Sequence, residues 1–170
     1  AVAGSDQNPL DSPVLASFTA DLLDEGTATR SCLQIAEELD GLGAELGAGS
    51  SMDLSSLSLR TLTPSTDAAF ALLADVVQHP AFAPEEIERG RASRQTQLVQ
   101  QRDNPTAIAQ RALVEALYGV EHPYGFIELG TAASVKAISR EDVQAFWRAG
   151  YTPGNAALVV AGDVTLAQLR

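Results

Sequence analysis

The side chains in this chain best suited to chemistry are two histidines, one cysteine and a surplus of carboxylates. His79 and His122 are each followed by proline and stand 122 − 79 = 43 residues apart. A zinc site takes three protein ligands from His, Cys, Asp and Glu, so the pair reads either as shared metal ligands or as two loop anchors. Cys32 is the only cysteine, which excludes an internal disulfide. Near the start of a helix it is a candidate low-pKa thiol. A nucleophilic triad needs a serine or cysteine beside a histidine and an acid; serines are plentiful, but no G-x-S-x-G elbow is present. Gly41, Gly43, Gly47 and Gly49 are spaced too irregularly for a phosphate loop and precede no GK[ST]. The acid pairs Glu37/Glu38 and Glu85/Glu86 read as solvated helix faces. One stretch remains, "SFTADLLDEGT" at 17–27, in which Asp21 follows Ser17 by one turn. It is either an ordinary packed helix or one that lines a cavity.

Composition narrows the setting. At 170 residues and 45% hydrophobic content the chain suits one domain (1–170), and at this length folding removes roughly 70% of the unfolded surface from water. Twenty-two acidic residues against eleven basic ones leave a net charge of -11, which disfavours nucleic acid as a partner. No apolar run is long enough to span a bilayer. The abrupt "AVAGS" start, which reads as a strand end, and the "VTLAQLR" finish, which reads as a first helical turn, are expected of a piece excised from a longer protein.

The elements that must position these groups follow from local pattern. Ser12-Pro13 predicts a helix start and Gly26 its stop. A second helix over 31–42 carries Leu33, Ile35, Ala36, Leu39 and Leu42 as its apolar face and pairs with the first. From Ala44 the period becomes two, predicting a hairpin with turn chemistry at Gly47, Gly49, Ser50, Ser51 and Asp53. Pro64-Ser65 opens a helix to Gln78 with Phe70, Leu73, Val76 and Val77 as core stripe. Pro84-Glu85-Glu86 opens a long polar helix to about Arg102, and Asn104-Pro105 another to Tyr118. After the loop "EHPYGFIELG" at 121–130 comes a short helix at 132–137. Ser139 with Asp142 then caps a helix bearing Val143, Phe146 and Trp147. "AALVVA" at 156–161 predicts a central strand. Helices with three or four strands and no βαβ rhythm give an α+β class, helices packed on a largely antiparallel sheet.

Four stretches together resemble the first domain of a subunit in the M16 zinc metallopeptidase family, the pitrilysin, insulinase and mitochondrial processing peptidase group. They are "LASFTADLLDEGT" at 15–27, "FAPEEIERGRASRQTQLVQQRDNP" at 82–105, "EHPYGFIELGT" at 121–131 and "SVKAISREDVQAFWRAGYTPGNAALVVAGDV" at 134–164. The resemblance implies a LuxS/MPP-like metallohydrolase fold. In active members of that family the first helix carries His-x-x-Glu-His: the histidines hold zinc, the glutamate activates water, and a glutamate on the long later helix completes the site. Aligned on Gly26-Thr27, Ser17 and Asp21 stand at the histidine positions, Ala20 at the general base, and Gln97 at the distant glutamate, 97 − 21 = 76 residues after Asp21. All four are replaced, so the resemblance implies a degenerate former site with neither catalytic nor metal-binding residues. It also implies no cofactor in this domain, with zinc in a catalytic partner, an active M16 subunit or half that encloses peptide substrates with it as a dimer in the periplasm or cytoplasm of a bacterium. Two other readings are a structural core subunit of a larger assembly, like the core proteins of a respiratory complex, and an independent hydrolase using Cys32 or a site without a recognised motif.

Overall fold

A computed structural model describes residues 3–9, 12, 14–120, 122–125, 128–165 and 167–168. The expectations that rest on Pro13, on Glu121, Phe126 and Ile127, and on the outermost residues of "AVAGS" and "VTLAQLR" lie outside the described residues. Seven α-helices and one hairpin are described: α1 (Leu15–Asp21), α2 (Cys32–Leu42), β1 (Glu45–Ser50), β2 (Ser55–Arg60), α3 (Thr66–Gln78), α4 (Pro84–Gln101), α5 (Pro105–Tyr118), α6 (Ala132–Ala137) and α7 (Arg140–Gly150). The expected α+β class holds, as helices around a small antiparallel sheet.

Helix α1 is the centre. Every residue from Leu15 to Ala20 is buried, because α1 lies between α7 on one side and both hairpin strands on the other. The expected pairing of α1 with α2 is therefore not its main packing; α2 rests on α3 and β1. Phe18, Leu22 and Leu23 meet Leu72 and Val76 of α3, Ile87 of α4, Val135 and Ile138 near α6, and Val143 of α7 in one core. The expected serine cap is absent; the Ala16 amide instead donates to Asn8 Oδ1 at 2.7 Å. Nor does α1 run to Gly26. It stops at Asp21, where the Leu22 and Leu23 amides bond back to Thr19 and Ala20. Gly26, at φ 136°, then turns the chain into bridges with Ser31 and, through Thr27, with Pro80.

Two other local expectations shift. Gly47 and Gly49 lie within β1, in register with Ser58 and Ser56, and the turn falls at 51–54. On α3 the buried stripe is Ala69, Leu72 and Val76, rotated from the predicted one, with Phe70, Leu73 and Val77 only half-buried. Leu33 on the predicted face of α2 is exposed.

The larger correction concerns "AALVVA". Residues 156–161 pair with no strand; Leu158 and Val159 are 65% and 90% exposed. A strand needs a neighbour for its amides and carbonyls, and among the described residues the sheet holds β1 and β2 alone. The capping signals, by contrast, act as read. Ser139 and Asp142 form a reciprocal capping box on α7, and Asn104 accepts from the amides of Thr106 and Ala107 at the start of α5. The α7 helix is fixed further by Trp147, whose indole N–H donates to the Val77 carbonyl at 2.9 Å.

Candidate functional site

Where α1, α4, β1 and the 128–130 loop meet, a polar cavity of about 430 Å³ opens, lined by Ser17, Asp21, Ser50, Arg94, Gln97 and Glu128 among others. Three of the four positions singled out in the sequence, Ser17, Asp21 and Gln97, thus line one cavity. Ala20 does not; its methyl is sealed in the core. Ala20 also stands one turn after Ser17, but a methyl is too short to reach past its neighbours into the cavity.

The residue that dominates this cavity is Arg94, which sequence reasoning passed over. It is 5% exposed. One terminal nitrogen donates to Ser17 Oγ at 3.0 Å and to the Glu128 carbonyl at 3.2 Å. The other donates to Asp21 Oδ2 at 2.7 Å. The guanidinium carbon lies 5.2 Å from the centroid of the Phe18 ring, within cation–π range. Ser17 Oγ in turn donates to the Glu128 carbonyl at 2.8 Å, closing the ring of contacts. The loop carrying Glu128 is pressed onto α1 at Gly130, which has φ 71° and no room for a Cβ: one would lie 1.9 Å from Val14 Cγ1.

Gln97 sits one turn after Arg94 on α4 and points along the helix, its amide 3.5 Å from Ser93 Oγ. The Glu128 carboxyl is held above the usual carboxylate range, first by burial and then by the charge of Asp21, with Arg94 working against both. The only signal in sequence for Arg94 is its spacing, three residues before Gln97 and so on the same face. In a helix as polar as α4 that is a weak signal.

These donors do not suit zinc. Ser17, Asp21 and Gln97 offer a hydroxyl, a carboxylate and an amide with no imidazole or thiolate, and the hydroxyl and carboxylate already face a fixed cation. Among the described residues no three His, Cys, Asp or Glu side chains are grouped to hold a metal ion.

The other candidates have local partners. His79 Nδ1 lies 3.1 Å from Asp75 Oδ1, and Asp75 also receives Thr27, Thr29 and Arg30. His122 stacks on Tyr118 and accepts the Tyr124 amide at Nδ1, 3.1 Å away. Both act as loop anchors. Cys32 opens α2, but its thiol is pushed up from the ordinary range, chiefly by its hydrogen bond with Glu25 and then by burial, against the lowering effect of Arg89. A thiol held protonated is a poor nucleophile. No described helix is long and apolar enough to cross a membrane.

Comparison with known proteins gives the chain's family. Residues 2–125 match the sequence model of the insulinase peptidases, family M16. A protein of Mycobacterium leprae described as an uncharacterized zinc protease is 31% identical over 149 residues, covering 88% of this chain and 33% of its own. A crystal structure from Pseudomonas fluorescens, titled as a peptidase M16 inactive domain, superposes with a TM-score of 0.81 at 33% identity, over 85% of this chain and 35% of that one. A Helicobacter pylori protease reaches a TM-score of 0.90 over 98% of this chain and 40% of its own, at 19% identity. The chain spans about a third of the length of the curated relatives it matches.

Proposed function

The chain belongs to the insulinase family of peptidases, family M16, and within that family we propose that it is a non-catalytic domain, one that helps wall a peptide-degradation chamber and pairs with an active, zinc-bearing half. The observation that carries the reading is chemical. Of the four positions that active relatives would fill with ligands and base, Ser17, Asp21 and Gln97 offer no imidazole, and Ala20 offers no group to take a proton. The frame that would hold such groups is nonetheless kept, since helix, long helix and closing loop still converge on one cavity. The inactive-domain relative from Pseudomonas fluorescens supports the same reading. So does the apolar surface of α5, where Ile108, Leu113 and Leu117 are each more than half exposed. Apolar area of that kind is commonly covered by a partner.

The test is peptide hydrolysis with fluorogenic peptides, using the chain alone and the chain mixed with a His-x-x-Glu-His half of the family. The expected result is no turnover alone, with or without added zinc, and chelator-sensitive turnover in the mixture. Chelator-resistant hydrolysis by the chain alone would overturn the proposal.

A further inference from the structure

The cavity contains a cation even though its residues are unfit for zinc, and that cation is part of the chain. Arg94 brings a full positive charge, nine-tenths buried, to the point where Ser17 Oγ, Asp21 Oδ2, the Glu128 carbonyl and the face of Phe18 converge. These present a negative charge, lone pairs and the electron-rich face of an aromatic ring. We infer that Arg94 is a tethered replacement for the metal ion, occupying the cation position of the former site and excluding divalent metal from it. The inference rests on the proposed reading of Ser17, Asp21 and Gln97 as former metal positions, and adds why the site refuses metal.

Three features of the structure argue for replacement rather than a chance ion pair. The partners of Arg94 come from two separate segments besides its own helix: Ser17, Phe18 and Asp21 from α1, and Glu128 from the loop that closes over it. Ser17 and Asp21 are the two α1 residues that line the cavity, and Arg94 engages both. Arg94 also lies one turn from Gln97, so its side chain starts from the helix face that faces α1. A guanidinium fits this role better than an ammonium, because its planar fork reaches two acceptors at once while its face lies on an aromatic ring. A divalent ion brought to the same donors would meet that charge at close range in a poorly screened site. Restoring ligands is therefore insufficient for metal binding while Arg94 remains.

The experiment uses zinc itself. Three chains are compared after incubation with zinc chloride and desalting, by metal content per chain: the natural chain, Ser17→His/Asp21→His/Gln97→Glu, and that variant with Arg94→Met added. A circular-dichroism melt checks that each is folded. If the triple histidine-bearing variant fails to fold, Ser17→His/Gln97→Glu, which keeps Asp21 as the third ligand, takes its place with and without Arg94→Met. The expected result is one zinc per chain only where Arg94 is gone, with at least about tenfold weaker zinc affinity where it is kept, the scale on which groups around a metal site change affinity. Equal zinc uptake with and without Arg94, or uptake by neither, overturns the role given to Arg94. Stoichiometric zinc in the natural chain overturns the underlying reading of a lost metal site instead, so the two failures are told apart.

Discussion

Replacing Asp21 with alanine is expected to destabilise the fold more than replacing Arg94 with methionine, although Arg94 is the buried member of the pair. The asymmetry follows from exposure. The Arg94 side chain is 7% exposed and that of Asp21 56%. Without Asp21 a guanidinium stays buried with only neutral acceptors, Ser17 Oγ and the Glu128 carbonyl, and the Phe18 ring. Stranding a buried charge costs about 3–5 kcal/mol. The remaining acceptors and the relief of an acid at the C-terminal end of α1 offset part of this, leaving about 2–3 kcal/mol. Without Arg94, Asp21 simply hydrates, Ser17 keeps its bond to the Glu128 carbonyl at 2.8 Å, and methionine fills most of the space. Loss of the cation–π contact and of the bond to a half-solvated carboxylate amounts to about 1 kcal/mol. In a domain of this size each kcal/mol moves the melting temperature by about 2–4 °C, so Asp21→Ala falls by about 4–12 °C and Arg94→Met by about 2–4 °C. In the double variant the stranded charge is absent, and its stability returns to about that of Arg94→Met. Urea titration with a common slope, alongside thermal melts, measures all four corners. A silent Asp21→Ala, or an Arg94→Met that is the worse of the two, would refute the argument from buried charge.

Three further outcomes are expected. Gly130→Ala places a Cβ 1.9 Å from Val14 Cγ1 at a residue with φ 71°; overpacking and left-handed strain together cost about 2–4 kcal/mol, read as a lowered urea midpoint. Arg91 donates to the carbonyls of Val135, Lys136 and Ile138 at the end of α6, so Arg91→Ala is worth about 2–3 kcal/mol and accelerates hydrogen exchange in α6 above all. Burial raises the Asp75 carboxyl, but hydrogen bonds from Thr27, Arg30, His79 and Thr29 outweigh it and hold the group below its ordinary 3.8. A carboxylate lowered by folding stabilises above its unfolded pKa and loses that contribution as pH falls through the folded one. The stability difference between the natural chain and Asp75→Asn is therefore full at neutral pH and shrinks on acidification below 3.8. A difference that grew as the pH fell would contradict the network.

What was legible in sequence was what depends on near neighbours. The capping box at Ser139 and Asp142, the Asn104 cap and the proline-led start of α4 are local chemistry, and the structure has them where the residues say. The α+β class follows from period and order. What was not legible depends on distant partners. Asn8 caps α1 from eight residues away in place of Ser12. The α3 stripe is rotated because Phe70 and Val77 are as apolar as Leu72, and packing chooses among them. "AALVVA" has a strand's composition, but composition does not supply a partner. Arg94 is the sharpest case: its charge is satisfied by groups 73 and 77 residues earlier and 34 later, and nothing in its own helix reports them.

On the proposed reading of Ser17, Ala20, Asp21 and Gln97 as a former site, the same geometry explains why four exchanged groups are compatible with keeping the fold. A site built to surround a cation concentrates lone pairs at one point, and removing the cation leaves them less well compensated, even where hydration of Asp21 and the bond from Ser17 to the Glu128 carbonyl make up most of the loss. Ser17, the Glu128 carbonyl and the open face of Phe18 are such a point, with Asp21 at its rim. On α4 a side chain one turn before Gln97 faces that point, so one arginine there supplies the charge. The exchange alters how stability is supplied, because a bound ion contributes in proportion to its concentration over its dissociation constant whereas a tethered guanidinium contributes at any metal level. A domain with the proposed role of a wall would gain from that independence. On this argument the natural chain's melting temperature is indifferent to chelator, and a chelator-induced fall of more than about 2 °C, equivalent to somewhat under 1 kcal/mol at this size, would show that Arg94 does not suffice.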